Sequence, residues 1–164
     1  QRKIVKKSFF SIFFPIFAIL FVTVFTYGGN AVSAGDLPEW ANGLPRKSDN
    51  STYVRMNIQH GCGIYLDLDS IAVEIYNPPY YQIAALFYVF DLDNTFIKKG
   101  KYVWKYIWSD YRYDRKMYEH TPHDEWQYIP ADELINAHRD LRLGGEIAWW
   151  KCYGIDFYGN PFDS

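Results

Sequence analysis

The residues best suited to catalysis in this chain are a histidine and a cysteine two positions apart. His60 and Cys62 lie in the segment QHGCG, and a thiol nucleophile needs a base such as an imidazole close by. On an extended chain, residues two apart project to the same side without necessarily touching. The other cysteine, Cys152, offers a different use for Cys62. Outside the cytoplasm two cysteines most often form a disulfide, so we expect a Cys62–Cys152 disulfide, with two unpaired thiols as the alternative.

A second polar group, the segment HTPHDE, has the residue types of a metal site. It contains His120, His123, Asp124 and Glu125, and imidazole and carboxylate groups together can bind zinc or another divalent ion. The His-x-x-His spacing is loose, Pro122 intervenes, and nothing in the sequence indicates a fourth strong ligand. We therefore expect a solvated polar loop and no metal site.

Two short acidic groups remain, DLD and DLDN. They comprise Asp67, Asp69, Asp91, Asp93 and Asn94, and calcium takes oxygens of this kind. The sequence DLDNTFIKKG lacks the glycine and the later glutamate of an EF-hand loop, so these residues are expected to satisfy backbone groups in turns. The chain also has no nucleophile elbow, no phosphate-binding glycine loop and no H-E-x-x-H. We therefore expect no cofactor and no enzymatic activity.

The aromatic residues of KYVWKYIWS are the most conspicuous candidates for binding. Tyr102, Trp104, Tyr106 and Trp108 fall on every second position, so on a strand their rings share one face. The rings of Trp104, Tyr106 and Trp108 are suited to a ligand platform. A small domain also needs large buried rings, and we favour a core role for this aromatic ladder. Its expected partners lie in the C-terminal helix: Leu134, Ile135, Leu141 and Trp149.

The elements that position these residues are predicted from hydrophobic periodicity. Alternation with period two predicts five or six strands between Tyr53 and Ile129, with hairpin-length connections and a loop over residues 91–100. In the segment 81–91 both the odd-numbered and the even-numbered residues are mostly apolar, which is typical of a central strand covered on both faces. From Pro130 the period becomes helical, and Gly144-Gly145 is expected to end or kink the helix before a second helical stretch from Glu146 to Tyr153. The fold class is α+β: an antiparallel sheet packed on one face by a C-terminal helix or kinked helix pair.

The first 34 residues have the layout of a secretory signal peptide. A basic start precedes a long apolar stretch and the small residues AVSA, although the apolar stretch is long enough to act as an uncleaved membrane anchor. We expect residues 35–52 to form an extended lead-in and 53–164 a single domain that is secreted, periplasmic or on the cell surface. All 19 acidic residues but only 13 of the 17 basic ones follow residue 34, so the exported part has a net charge of −6 (13 minus 19). That balance argues against nucleic acid as a partner.

The order of features from Tyr65 onwards resembles a bacterial secreted family, the surface-adhesin protein E-like domains. The likeness rests on Tyr65-Leu66-Asp67, Ser70-Ile71, Tyr111-Arg112-Tyr113-Asp114, Trp126-Gln127-Tyr128-Ile129-Pro130 and the late Cys152. It implies a small antiparallel sheet with a C-terminal helix, pairing into homodimers in some members, and adhesion to host extracellular proteins in the best known one.

The expected function is therefore that of an exported, non-enzymatic, adhesin-like binding protein of the bacterial cell envelope. Its partner would be a host or envelope protein. The alternatives are a small-ligand or carbohydrate binder that uses the aromatic platform, and, less expected, a small hydrolase-type enzyme.

Overall fold

Eight antiparallel strands and one helix make up the described part of the chain, residues 37–132 and 138–163 of this computed structural model. The sheet is therefore larger than the five or six strands predicted, while the α+β class and the helix packed on one face are confirmed. The predicted signal segment, residues 1–34, lies outside the described residues. The elements in chain order are β1 (Arg46–Lys47), β2 (Asn50–Gln59), β3 (Cys62–Asp67), β4 (Ala72–Asn77), β5 (Tyr80–Phe90), β6 (Phe96–Ile107), β7 (Lys116–His120), β8 (Trp126–Ile129) and α1 (Arg139–Tyr153).

Strands β3 and β4 pair with opposite ends of β5. The order is β1-β2-β3-β5-β6-β7-β8, and β4 pairs with the other end of β5. A 3₁₀ turn at Leu68–Ser70 separates β3 from β4, and the Asp67 carboxylate accepts the N–H of Asp69 at 3.1 Å to cap it. The Ser70 hydroxyl accepts the N–H of Leu86 at 2.7 Å, which satisfies a β5 donor at the break.

The β5–β6 hairpin is longer than the sequence suggested. The segment expected to be a loop over 91–100 is a turn only as far as residue 95, because β6 begins at Phe96. The Asp91 carboxylate accepts the N–H of Thr95 at 2.8 Å, and Asn94 has a positive φ of 65°. Asp91 therefore satisfies a backbone group of this turn, as predicted. The lysine-rich segment after it continues the ladder, with Lys99 opposite Tyr88.

Helix α1 runs without interruption through Gly144 and Gly145, so the predicted end or kink at these glycines is wrong. A Cβ on Gly145 would lie 2.4 Å from the sulfur of Met117, and one on Gly144 would lie 3.0 Å from the Trp104 ring. The glycines therefore let the helix approach the sheet closely. The start of the predicted helix also differs, since α1 begins at Arg139 and residues 133–137 lie outside the described part. Within the described ranges, no helix has the length and apolar character needed to span a membrane.

A buried ion pair on α1 holds the segment that follows the helix. The Arg142 guanidinium donates to the Glu146 carboxylate at 2.9 Å, and both side chains are almost fully buried. The same carboxylate accepts the backbone N–H groups of Phe157 at 2.6 Å, Tyr158 at 3.0 Å and Gly159 at 3.1 Å. The Phe157 and Tyr158 rings enter the core as a result.

The segment before the sheet is packed as well. Leu37 and Ala41 belong to the hydrophobic core, and Glu39–Ala41 forms a 3₁₀ turn. The strand β2 begins at Asn50, earlier than predicted. The described part of the predicted extended lead-in therefore contributes to the fold rather than preceding it.

Candidate functional site

The aromatic ladder of β6 is covered by α1. Trp104 and Tyr106 are fully buried. The Trp104 indole N–H donates to the carbonyl of Leu141 at 3.1 Å, and the Tyr106 hydroxyl donates to the carbonyl of Gly145 at 2.7 Å. These bonds satisfy the polar atom of each ring inside the core.

Trp108 is held between two side chains at the end of the ladder. Its ring stacks on Trp149 at a centroid distance of 5.3 Å, and the Arg115 guanidinium lies 3.7 Å from its centroid. The ligand platform considered for Trp104, Tyr106 and Trp108 therefore does not exist as an exposed surface.

The expected disulfide is not formed, and both cysteines are free. Cys62 lies at the β2–β3 turn, beside the Phe90 end of β5, whereas Tyr153, next to Cys152, contacts Tyr81 near the other end. Phe90 and Tyr81 are nine residues apart on β5, which corresponds to about 30 Å. A disulfide needs Cα atoms within about 7 Å of each other. The fold thus separates the two thiols that we expected to pair.

The histidines considered for chemistry lie in two hairpin turns. The contact of the Cys62 thiol with His60 is to its backbone carbonyl, at 3.9 Å, rather than to the imidazole. His120 Nε2 lies 2.7 Å from an Asp124 carboxylate oxygen in the β7–β8 turn. Among residues 37–132 and 138–163, no three His, Cys, Asp or Glu side chains come together as a metal site.

A pair of carboxyl groups lies between the sheet and the start of α1. Asp140 is 7% exposed and accepts the Tyr102 hydroxyl through Oδ2, while its Oδ1 has no hydrogen-bond partner among the described residues. Glu119 is opposite Trp104 and therefore projects to the same side. Burial, followed by the charge of Asp140, raises the pKa of Glu119 to about 7. This carboxyl group can therefore exchange a proton near neutral pH.

The sheet face opposite α1, which we call the open sheet face, carries a second set of aromatic residues. Directly opposed residues of an antiparallel pair project to one side, so the strand pairings assign its members. α1 and the residues of the core occupy the other side of the sheet. The open sheet face includes Tyr53, Arg55, Tyr65, Asp67, Gln82, Ala84, Leu86, Tyr88, Phe90, Lys99, Lys101, Val103, Lys105, Ile107, Lys116, Tyr118, His120, Trp126 and Tyr128, and Glu74 joins it through its bonds to Gln82 and Lys101.

At one end of the open sheet face, five rings contact one another. Tyr53 stacks on Tyr88 with centroids 4.8 Å apart. Tyr65 meets Phe90 edge-on at 5.8 Å, and Phe96, beside this face, meets Phe90 at 6.0 Å. Burial, then the hydrogen bond with Tyr88, raises the pKa of Tyr53 to about 12. The Tyr53 hydroxyl is therefore neutral at physiological pH.

At the other end, a lysine lies over the rings of the edge strands. The Lys105 ammonium group is 4.5 Å from the centroid of Trp126 and 5.0 Å from that of Tyr118. Tyr128 contacts Tyr118 at 5.5 Å and keeps 48% of its surface exposed. This geometry presents exposed rings and a cation together.

The centre of the open sheet face contains an ion pair. The Lys101 ammonium group is 2.6 Å from one oxygen of Glu74, and Gln82 donates to the other at 2.7 Å. The hydrogen bond from Lys101, followed by that from Gln82, lowers the pKa of Glu74. Lys99 and Lys116 are exposed, and neither has an acidic partner among the described residues.

Two depressions lie along β2 at the edge of the sheet. Their volumes are about 230 and 240 Å³, and both are lined by Arg55 and Ile58. The larger one also includes Tyr65 and so borders the open sheet face. Both are smaller than the roughly 300–1,000 Å³ of small-molecule pockets. A flat surface, rather than a pocket, is the main feature here.

The sequence contains a signal for the open sheet face in the two apolar rows of β5. The two apolar parities of residues 81–91 were expected to be covered on both faces. In the structure β5 is central, and on the side that faces α1 Ile83 is 0% and Ala85 2% exposed. Leu86 and Tyr88 on the other parity are only half-buried. The second apolar row therefore lies on the open sheet face, which α1 does not cover.

Comparisons with known proteins do not extend this description. A scan against protein-family models, a search of curated proteins and a search of solved structures each found no match to this chain. The assignment of a function therefore rests on the open sheet face and on the residues that form it.

Proposed function

We propose that this protein is an exported, non-enzymatic binding module that holds a macromolecular partner on the open sheet face. The observation that carries the proposal is the unequal covering of the sheet. One face is closed by α1, whereas the other presents partly exposed rings and lysines. Exposed aromatic groups on a flat surface are typical of sites that bind other macromolecules.

Three further features support binding rather than catalysis. The depressions are too small to enclose a substrate. His60 and Cys62 meet only through a backbone carbonyl. The aromatic groups of the open sheet face lie on strands, and side chains on regular elements are held more rigidly than those on loops. Export is supported by the layout of residues 1–34, and the adhesin-like role is supported by the family resemblance.

The proposal is tested by binding to immobilised extracellular-matrix proteins and envelope polysaccharides. The test variant carries Lys105→Glu and Tyr128→Ala on the open sheet face. The matched control carries Lys98→Glu and Tyr113→Ala, since Lys98 projects to the other side of β6 and Tyr113 lies in the 3₁₀ turn Arg112–Asp114. Both variants make the same chemical changes at the surface.

We expect the wild-type protein and the control to bind at least one immobilised partner equally, and the test variant to bind it about tenfold more weakly. Circular dichroism checks that all three proteins are folded. The proposal is refuted if the test variant binds as the control does, or if the wild-type protein binds none of the panel.

A further inference from the structure

The charge of the open sheet face is opposite in sign to that of the exported chain. Among the described residues, six basic side chains lie on this face: Arg55, Lys99, Lys101, Lys105 and Lys116 project from its strands, and Lys47 lies over the Phe90 ring. The acidic side chains that accompany them include Asp67, Glu74 and Asp49, which pairs with Lys47. Residues 35–164 as a whole carry 19 acidic against 13 basic residues. Basic groups are therefore concentrated on the one face that α1 leaves uncovered.

Several of these cations are available to a partner. Lys101 is neutralised by Glu74. Lys99 and Lys116 are exposed, and the contacts of the Lys105 ammonium group within residues 37–132 and 138–163 are with the Tyr118 and Trp126 rings. An uncompensated surface charge attracts anions over about 8 Å at physiological ionic strength. The face therefore favours an anionic partner.

The rings beside these cations restrict the partner further. Trp126 is 37% and Tyr128 48% exposed. Both belong to the edge strand β8, and the Lys105 ammonium group lies over the Trp126 ring. An exposed ring offers an apolar surface on which another flat or ring-shaped group can pack. The partner that fits has ring-shaped units and a repeated negative charge.

We propose that the open sheet face binds an acidic polysaccharide, with anionic groups on Lys99, Lys105 and Lys116 and sugar rings packed on Trp126 and Tyr128. This inference rests on the proposed function and names the partner class for the same surface. The flatness of the face favours a long polymer over a small enclosed ligand. Nucleic acid is disfavoured because its binding is dominated by Lys and Arg side chains that neutralise phosphates, whereas residues 35–164 carry 19 acidic against 13 basic residues.

The test uses three soluble polymers and calorimetry with the full chain. Alginate is a polyuronate, heparin is a sulfated polysaccharide and dextran is neutral. We expect alginate or heparin to bind, with affinity falling as salt rises from 50 to 300 mM, and dextran to bind at least tenfold more weakly. If alginate binds and heparin does not, the anionic groups that the face recognises are carboxylates. If heparin binds and alginate does not, they are sulfates.

A matched pair of variants on neighbouring residues locates the site. Lys99→Glu reverses a charge on the open sheet face, and Lys98→Glu makes the same change on the opposite side of β6. We expect Lys99→Glu to weaken polymer binding about tenfold and Lys98→Glu to change it less than twofold. Tyr128→Ala is expected to weaken binding about fivefold without altering its salt dependence.

Four results overturn the inference: equal binding of dextran, equal effects of Lys98→Glu and Lys99→Glu, binding of single-stranded DNA as tight as that of the polysaccharides, or equally tight binding of polyglutamate. Failure of this inference is distinct from failure of the proposed function. If no acidic polysaccharide binds but the open-face variant still loses binding to a matrix protein, the proposed function stands and the partner class is wrong.

Discussion

Replacing Glu146 with alanine is expected to release the segment after α1 from the core. The carboxylate is 0% exposed and bonds three consecutive backbone N–H groups as well as the guanidinium of Arg142, which is 1% exposed. Burial raises the pKa of Glu146 and lowers the pKa of Arg142, so each ion depends on its partner to remain charged. Removing one partner of such a pair leaves a buried charge without compensation.

The magnitude follows from the groups left behind. Breaking a buried ion pair from one side costs about 3–5 kcal/mol. The orphaned N–H groups overlap with this cost, because a released segment can bond to water. We therefore expect Glu146→Ala to reduce the free energy of unfolding by about 4 kcal/mol. For a folded unit of this size that corresponds to a fall of roughly 12 °C in Tm.

Urea denaturation followed by tryptophan fluorescence measures this change. Glu146→Gln keeps an acceptor for the N–H groups but places an amide donor near the guanidinium, so an intermediate loss is expected. Glu125→Ala, which removes an exposed carboxylate, is the control and should leave stability unchanged. A loss below about 1 kcal/mol for Glu146→Ala would refute the reasoning, since that is the effect of an exposed ion pair.

Three further predictions concern separate parts of the domain. The pKa of Glu119 is raised from 4.5 to about 7, so its favourable contribution to stability is complete below pH 4.5 and is lost as pH rises through 7. Glu119→Gln should therefore equal the wild type at about pH 4 and exceed it at about pH 8 by about 1 kcal/mol in the free energy of unfolding, after screening by solvent. An equal difference at both pH values in urea titrations would contradict this. Gly145→Ala should lower the free energy of unfolding by about 2 kcal/mol, because the added methyl group would clash with Met117, and this outweighs the helix preference of alanine. Gly43 faces open space, so Gly43→Ala should leave stability unchanged. A Gly145→Ala variant that is more stable than the wild type in thermal denaturation would count against close packing. Burial raises the pKa of Cys152 to about 11, so iodoacetamide at about pH 8 should alkylate Cys62 before Cys152. Mass spectrometry follows the two reactions. Equal rates of alkylation, or the absence of free thiols, would contradict the structure.

Local patterns predicted much of the sheet, because alternation along a strand is a property of neighbouring residues. The aromatic ladder of β6 was expected to be core, and Trp104 and Tyr106 are core residues. The glycines of α1 were misread for a physical reason. Glycine has a low helix propensity, which favours a helix end or a kink. Gly144 and Gly145 are instead required because the helix packs closely against Trp104 and Met117, and a local sequence pattern contains no information about that contact.

The candidate site depended on contacts that no local pattern contains. The carboxyl pair joins residues from β7 and α1, and its perturbed pKa follows from burial in the folded chain. The separation of Cys62 from Cys152 follows from the register of β3 and β5. The open sheet face required knowing which side of the sheet the helix takes. Its composition was visible in the sequence, but its exposure was not.

Helix α1 completes the core with partners that lie far back along the chain. It contacts β2 and β5, and at least 80 residues (139 minus 59) separate it from β2. The β5–β6 hairpin closes over a short turn, and local pairings form sooner than distant ones. We expect pulsed hydrogen exchange to show protection in the hairpin first and in α1 last, and simultaneous protection would contradict this order. During that interval the Trp and Tyr ladder is uncovered on one face of the sheet while the open sheet face is bare on the other. The half-folded chain is thus at its most prone to aggregation immediately before the helix docks.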